Sequence, residues 1–198
     1  MKILIGICGA PSSGKTTTAH LLRNMLSGRG VSREVVREYA RHFIEKYGQI
    51  ETIMEQWHIY DGQTKWEAQA ISNYDIVISD SPRFLPYIYA LNLFDHDDPK
   101  SIAALVRLYE LGVFSINDYT MIYLLKPPLV VEQDGIRSQD ENDANLIYEV
   151  TRNFLLSHCP DVVVEVPQGT DGRVPDEYAS FILGDMEREG LIDAEVKI

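Results

Sequence analysis

Gly9-Ala10-Pro11-Ser12-Ser13-Gly14-Lys15-Thr16 sets a glycine, four residues and then Gly-Lys-Thr in one run, the spacing of a phosphate-cradling loop. Each position has a physical task. Gly9 and Gly14 permit backbone angles that a side chain would oppose, so the loop can turn its N–H groups inward around an anion. A helix opening next to Lys15 adds unpaired N–H groups and the positive end of its dipole, with Thr17 in its first turn. Lys15 sets a cation against the outer phosphates of a nucleoside triphosphate, and Thr16 offers a hydroxyl to Mg²⁺. No motif in the sequence chooses between ATP and GTP.

Asp80 closes the apolar run Ile76-Val77-Ile78-Ser79. Ligands gather at strand carboxyl ends in open α/β sheets. A carboxylate there can serve a metal or take a proton from an acceptor hydroxyl; the alternative is a cap on the Ser81-Pro82 turn. Arg37-Glu38-Tyr39-Ala40-Arg41 follows a second apolar run. Glu38, with Tyr39 and Arg41, would line the same cleft and bond a sugar or base, or would simply open a surface helix. Arg83 is a further candidate on the acceptor side. Asp134-Gly135-Ile136-Arg137-Ser138 lies in a polar stretch and suits a lid over residues 130–144. Its Arg137 would offset charge on a transferring phosphoryl group; the alternative is an exposed loop.

The elements that must position these residues alternate strand and helix. Ile3 to Cys8, Glu34 to Val36, Asp75 to Ser79, Tyr119 to Leu125 and Asp161 to Val166 read as strands, the first apolar throughout as in a sheet covered on both faces. Between them, Thr16 to Leu26, Glu51 to Ile71, Leu85 to Leu93 and a segment starting at Asp98-Pro99 read as helices. In the second of these, Ile53, Trp57, Tyr60, Thr64, Glu67/Ala68 and Ile71 recur at helical spacing, and Gly62 weakens without breaking it. Ile102, Leu105, Val106 and Tyr109 give the fourth an apolar side. Glu132 to Asp143 reads as a loop, Leu146, Ile147, Val150, Phe154 and Leu155 mark another helix, and a last one spans about Pro175 to Glu189. The pattern predicts a doubly wound parallel α/β sheet of five strands, one domain over residues 1–198 with a short lid loop.

Composition narrows the partners. Eighteen basic and 30 acidic residues leave a net charge of −12, which disfavours an extended nucleic-acid surface. No apolar run reaches the roughly 18 residues of a membrane span, and Met1 to Ile7 reads as a strand rather than a signal peptide. Cys8 and Cys159 show no metal-ligand spacing and read as reduced thiols. The expected setting is the cytoplasm.

Taken together, the phosphate loop, Arg37 to Arg41, Asp80-Ser81 and Asp134 to Ser138 resemble, in order and spacing, the ribosylnicotinamide kinase domain of bifunctional NAD-biosynthesis proteins. They are equally similar to a set of phage-encoded P-loop (AAA-like) proteins. The resemblance covers roughly residues 1–167 and implies a P-loop kinase fold that transfers phosphate from ATP to a hydroxyl or phosphate of a nucleoside- or nucleotide-like acceptor. Carried over by position, it implies that Lys15 and Thr16 hold phosphates and Mg²⁺, Asp80 serves metal or acceptor, and Arg137 serves the lid. Two positions depart from the pattern. Gln139 to Asn145 is acidic where a second basic lid residue is usual, with Arg152 as a substitute; Ser81 or Pro82 stands where a second Asp is usual. The other functions weighed are a kinase of 5-hydroxymethyluracil in DNA, with Arg37, Arg41, Arg83 and Arg107 as its groove, and a nucleotide-gated regulatory ATPase without an acceptor.

Overall fold

Alternating side chains divide the core in two. In the computed structural model, which describes residues 2–127, 141–169 and 175–193, strand β1 (Ile3–Gly9) is buried along its whole length. Its odd residues Ile3, Ile5 and Ile7 enter one apolar cluster and Leu4 and Cys8 enter another, because successive side chains of a strand point to opposite faces. β2 (Arg33–Val36), β3 (Ile76–Asp80), β4 (Met121–Leu125) and β5 (Val163–Val166) complete a parallel sheet in the order β2-β3-β1-β4-β5.

Helices cover both faces. α1 (Lys15–Met25) and α7 (Pro175–Arg188) lie on one, through Ala19, Leu22, Tyr178 and Ile182. On the other lie α3 (Ile53–Asn73), α4 (Leu85–Ala90) and α6 (Glu141–His158), through Ala70, Leu85, Ile88, Ile147 and Leu155. α2 (Tyr39–Tyr47) packs on α3, and α5 (Pro99–Ile116) packs outside α3 and α4 through Ala104 and Leu108. This is the doubly wound α/β arrangement that the alternation predicts.

Helix ends follow local chemistry. Thr52 and Glu55 form a reciprocal capping box at the start of α3, satisfying donors that the helix leaves open. Asp98 accepts from the N–H groups of Lys100 and Ser101 ahead of α5. Gly62 stays in α3 for a packing reason: a Cβ there would sit 2.2 Å from the ring of Tyr39. The missing side chain lets α2 close on α3.

Three helix faces differ from the sequence expectation. On α3 the buried side runs through Ile53, Gln56, Ile59, Gln63, Glu67 and Ala70, one residue round from the expected stripe. Polar residues can hold such a face only when hydrogen-bonded, and hydropathy spacing does not register them. On α5 the expected side is the outer one: Ile102 is 42% and Val106 53% exposed. Ser101, Ala104, Leu108, Gly112 and Ser115 face inward instead, since small residues admit close contact; a Cβ on Gly112 would meet Phe154 at 3.3 Å. On α6, Leu146 is exposed while Ala144 and Tyr148 are buried. The expected loop at 132–143 also ends early, with α6 beginning at Glu141.

Candidate active site

Strand register brings the first two candidate elements together. Ile7 of β1 lies opposite Asp80 of β3. Gly9 therefore stands two residues beyond the level of Asp80, and the loop leaving β1 rises beside that carboxylate. Gly9 has φ 144°, and a Cβ on it would lie 2.4 Å from the carbonyl oxygen of Leu125, so the strand end closes on β4 only with glycine. Gly14 (φ 85°) and Ser12 (φ 59°) are also left-handed. α1 then opens without a side-chain cap, which leaves the N–H groups of its first turn for an anion. Ala10, Pro11 and Ser13 are buried, whereas Thr16 and Thr17 are exposed.

Lys15 is only 7% exposed. Its Nζ donates to the carbonyls of Gly9 (3.2 Å) and Ala10 (2.7 Å), so the ammonium is held over the loop. The Thr16 hydroxyl donates to Asp80 Oδ2 at 2.6 Å. Burial pushes the Asp80 carboxyl above its ordinary range; the Thr16 hydroxyl, Lys15 and His20 pull it down, and the charge of Glu38 adds to the rise. The Thr16 hydroxyl and the Asp80 carboxylate are adjacent hard oxygen donors, a set that fits Mg²⁺.

Beyond Asp80 a cavity of about 210 Å³ opens between α2, α3 and α4. Glu38, Tyr39 and Ser81 line it near the strand ends, and Ile44, Gln56, Ile59, Leu85 and Leu93 contribute further in. Ser81 has φ 78°, an uncommon angle for a residue with a side chain and one that clusters at functional sites. Its N–H donates to the carbonyl of Ile7 at 3.3 Å.

A buried polar network ties this cavity to β3. Gln63 Oε1 accepts from the N–H of Tyr39 at 2.8 Å, and its Nε2 donates to Ser79 Oγ at 3.2 Å. Ser79 donates to Glu67 Oε1 at 2.6 Å, and the Tyr119 hydroxyl lies 2.8 Å from both Glu67 oxygens. Burial raises the Glu67 pKa, opposed by Ser79, Arg83, Tyr119 and Gln63. The first turn of α2 and the last residues of β3 are thereby held in one frame.

The candidates from sequence divide accordingly. Gly9 to Thr17, Asp80, Glu38 and Tyr39 converge on one cleft. Arg83 does not reach the cavity lining: it is buried, 3.6 Å from Glu67 Oε2, and pairs with Asp118. Arg41 is exposed and stands outside the lining. Arg137 and residues 130–140 of the expected lid lie outside the described residues. Arg152 is held to β5 by Glu165 at 2.9 Å. Gln56, Gln63, Glu67, Ser79 and Tyr119 escaped the sequence reading. For the α3 three, the available signal was polar residues interleaved at three- and four-residue spacing with Ile53, Ile59 and Ala70.

This fold and loop define a P-loop nucleotide-binding protein of the doubly wound class. Residues 4–172 match an AAA domain family (AAA_28), and the chain belongs to that family. No curated protein matches it. Among solved structures it is similar to a NadR protein in complex with NR, at 21% identity and TM-score 0.73, covering 100% of this chain and 54% of that one. A NadR protein in complex with NAD and AMP-PNP gives 17% identity and TM-score 0.73, covering 98% of this chain and 51% of that one. A deoxyadenosine kinase from M. mycoides, with products dCMP and a flexible dCDP bound, gives 15% identity and TM-score 0.64, covering 94% and 100%. The chain spans about half the length of the two NadR chains. Among the described residues no helix is long and apolar enough to cross a membrane.

Proposed function

We propose that the protein is an ATP-dependent phosphotransferase that moves the γ-phosphate to a hydroxyl of a nucleoside- or nucleotide-like small molecule, within a single domain. One observation carries the reading: the Thr16–Asp80 contact of 2.6 Å sits between the phosphate loop and a cavity that begins at Ser81 and Glu38. A binding ATPase needs the first half of that arrangement and no use for the second.

The chain's own residues supply positioning and charge. The loop N–H groups and the start of α1 bind the donor phosphates. Lys15 leaves its carbonyl partners for the outer phosphates. Asp80 takes the proton of the acceptor hydroxyl as its oxygen forms a bond to the γ-phosphorus; the bond from that phosphorus to the bridging oxygen breaks, and ADP leaves. Mg²⁺, held through Thr16 and Asp80, would neutralise charge on the phosphates. Arg137 is proposed as the lid arginine. Among the described residues Glu38 is the only charged side chain lining the cavity, which favours a hydroxyl over a phosphate as the group attacked. Two of the four arginines of a DNA groove are engaged otherwise: Arg83 is buried beside Glu67 and Arg107 pairs with Glu110.

Transfer of label from γ-labelled ATP to a panel of nucleosides, nucleoside monophosphates, nicotinamide riboside and hydroxymethyluracil-containing DNA tests the proposal. The expected result is a labelled nucleoside-like product. Steady phosphate release with no labelled acceptor would sink it in favour of the regulatory ATPase.

A further inference from the structure

Asp80 opens a turn that is strained and held from both sides. Ser81 has φ 78°, a conformation that a residue with a side chain keeps only where its surroundings impose it. The imposing groups lie outside the turn. Pro82 rests on β1 where Gly6 leaves room: a Cβ on Gly6 would lie 2.9 Å from Pro82 Cγ and 3.1 Å from the Tyr119 ring. The N–H of Arg83 donates to the Tyr119 hydroxyl at 3.0 Å.

Both flanks of the turn lead to one carboxylate. Ser79, the residue before Asp80, donates to Glu67 Oε1 at 2.6 Å. Tyr119, which takes the N–H of Arg83 three residues after Asp80, donates to the same Glu67 at 2.8 Å. Glu67 is fully buried and absent from the cavity lining, so whatever it does for the reaction passes through that turn.

The direction of the hydrogen bonds sets its charge. The Ser79 hydroxyl accepts from Gln63 Nε2 at 3.2 Å, and the Tyr119 hydroxyl accepts from the Arg83 N–H. Each hydroxyl has one proton and sends it to Glu67. An ionised carboxylate only accepts and receives both; a neutral amide in its place would meet one of the hydroxyls with a donor. Burial opposes the charge, but the Arg83 guanidinium, with Nε 3.6 Å from Glu67 Oε2, supplies a countercharge from the same turn.

We propose that Glu67 is a positioning residue for phosphoryl transfer: its carboxylate ties down Ser79 and, through Tyr119, Arg83, and so fixes where the Asp80 carboxylate stands between Thr16 and the acceptor hydroxyl. The proposal rests on the reading of Asp80 as the group that takes the acceptor's proton.

The test is a double-mutant cycle between Glu67→Gln and Asp80→Asn. It uses γ-labelled ATP and the nucleoside that the wild type phosphorylates, at a temperature well below each unfolding midpoint. Glu67→Gln should lower kcat about 100-fold, the loss that a misplacement of about 1 Å brings, with ATP affinity and the acceptor KM within about threefold. In the Asp80→Asn background the same change should cost less than about threefold, since the group it positions is gone. Tyr119→Phe and Ser79→Ala keep the charge and cut one flank each. Each should lower kcat about tenfold in the wild type and under about twofold beside Glu67→Gln. They carry the cycle with Asp80→Asn as well, should Glu67→Gln fail to fold. A lowered midpoint with kcat within about threefold of wild type would make Glu67 a structural residue and leave the kinase reading standing. Losses that multiply with Asp80→Asn would place its action elsewhere and overturn the proposal alone. Labelling of no acceptor by the wild type would remove the acceptor reading and this inference with it.

Discussion

The two halves of the cleft are built on opposite plans. On the proposed reading the donor side is one contiguous stretch, Gly9 to Thr17, whose binding groups would be mainly backbone N–H groups plus Lys15. The proposed acceptor side gathers Glu38, Gln56, Ser81 and Leu93 from the start of α2, α3 and the turns around α4, and its binding groups would be side chains. An anion site made of backbone needs one fixed local conformation, so glycines at φ 144° and 85° specify it almost alone. A ring site made of side chains needs helices at the correct separation. Here that separation depends on a missing Cβ at Gly62 and on the Gln63–Ser79–Glu67 network.

The contrast can be broken experimentally. The largest effect is expected from Lys15→Ala: turnover should fall by at least about 1,000-fold and ATP affinity sharply, since the outer phosphates lose their cation, while a nucleoside should still bind the cavity. Calorimetric titration of each ligand alone checks this; loss of nucleoside binding as well would show that the halves are not separable.

Asp80→Asn sits at the boundary. It should lower kcat by about 100- to 1,000-fold with a much smaller change in ATP affinity. Because burial raises the Asp80 pKa, the wild-type kcat/KM profile should show an acid limb above the ordinary carboxylate value of about 3.9, and the limb should vanish in the variant. The stability consequence has a definite sign. A carboxyl whose folded pKa is raised favours folding while protonated, and that advantage is lost as pH rises through the folded value. At neutral pH, without ligands, Asp80→Asn should therefore unfold at a higher temperature than wild type, and the gain should shrink on acidification. A lower midpoint at neutral pH would contradict this account.

Gln63→Leu tests the frame of the acceptor side. It leaves the part-buried N–H of Tyr39 without its acceptor and removes the donor to Ser79 Oγ, whose own hydroxyl keeps its bond to Glu67, at a cost of about 1–3 kcal/mol in chemical denaturation. The KM for the acceptor should rise about tenfold with ATP affinity unaffected. Equal weakening of ATP and acceptor would mean that the network supports the whole cleft. The smallest effect belongs to Gly62→Ala. Displacing the Tyr39 ring costs about 1–3 kcal/mol, offset by about 1 kcal/mol of improved helix propensity. A modest net loss of stability should accompany a higher acceptor KM, and a stabilised variant would show that Tyr39 moves aside freely.

Much of the donor side was legible in the sequence for the reason the comparison gives. Gly9, Gly14, Lys15 and Thr16 are neighbours in the chain, and their task is local. Asp80 was legible because an apolar run ending in a carboxylate is itself a strand signature. Arg83 was misleading: standing three residues after Asp80 says nothing about which way its guanidinium turns, and Glu67 and Asp118 hold it elsewhere. The α5 face was misread because Ile102 and Val106 face outward while Ala104, Leu108 and Gly112 make the contact.

By itself the sequence determined the alternation of strand and helix, the five-strand sheet, the phosphate loop and the strand-end carboxylate, all set by short-range spacing. Tertiary structure alone decided that Thr16 meets Asp80, that Gln63 is consumed by the frame and that Gln56, on the same helix face, lines the cavity without joining that network. Two glutamines seven residues apart are equivalent in a helical pattern. Only the neighbours brought in from α2 and β3 make Gln63 a strut and leave Gln56 to line the cavity.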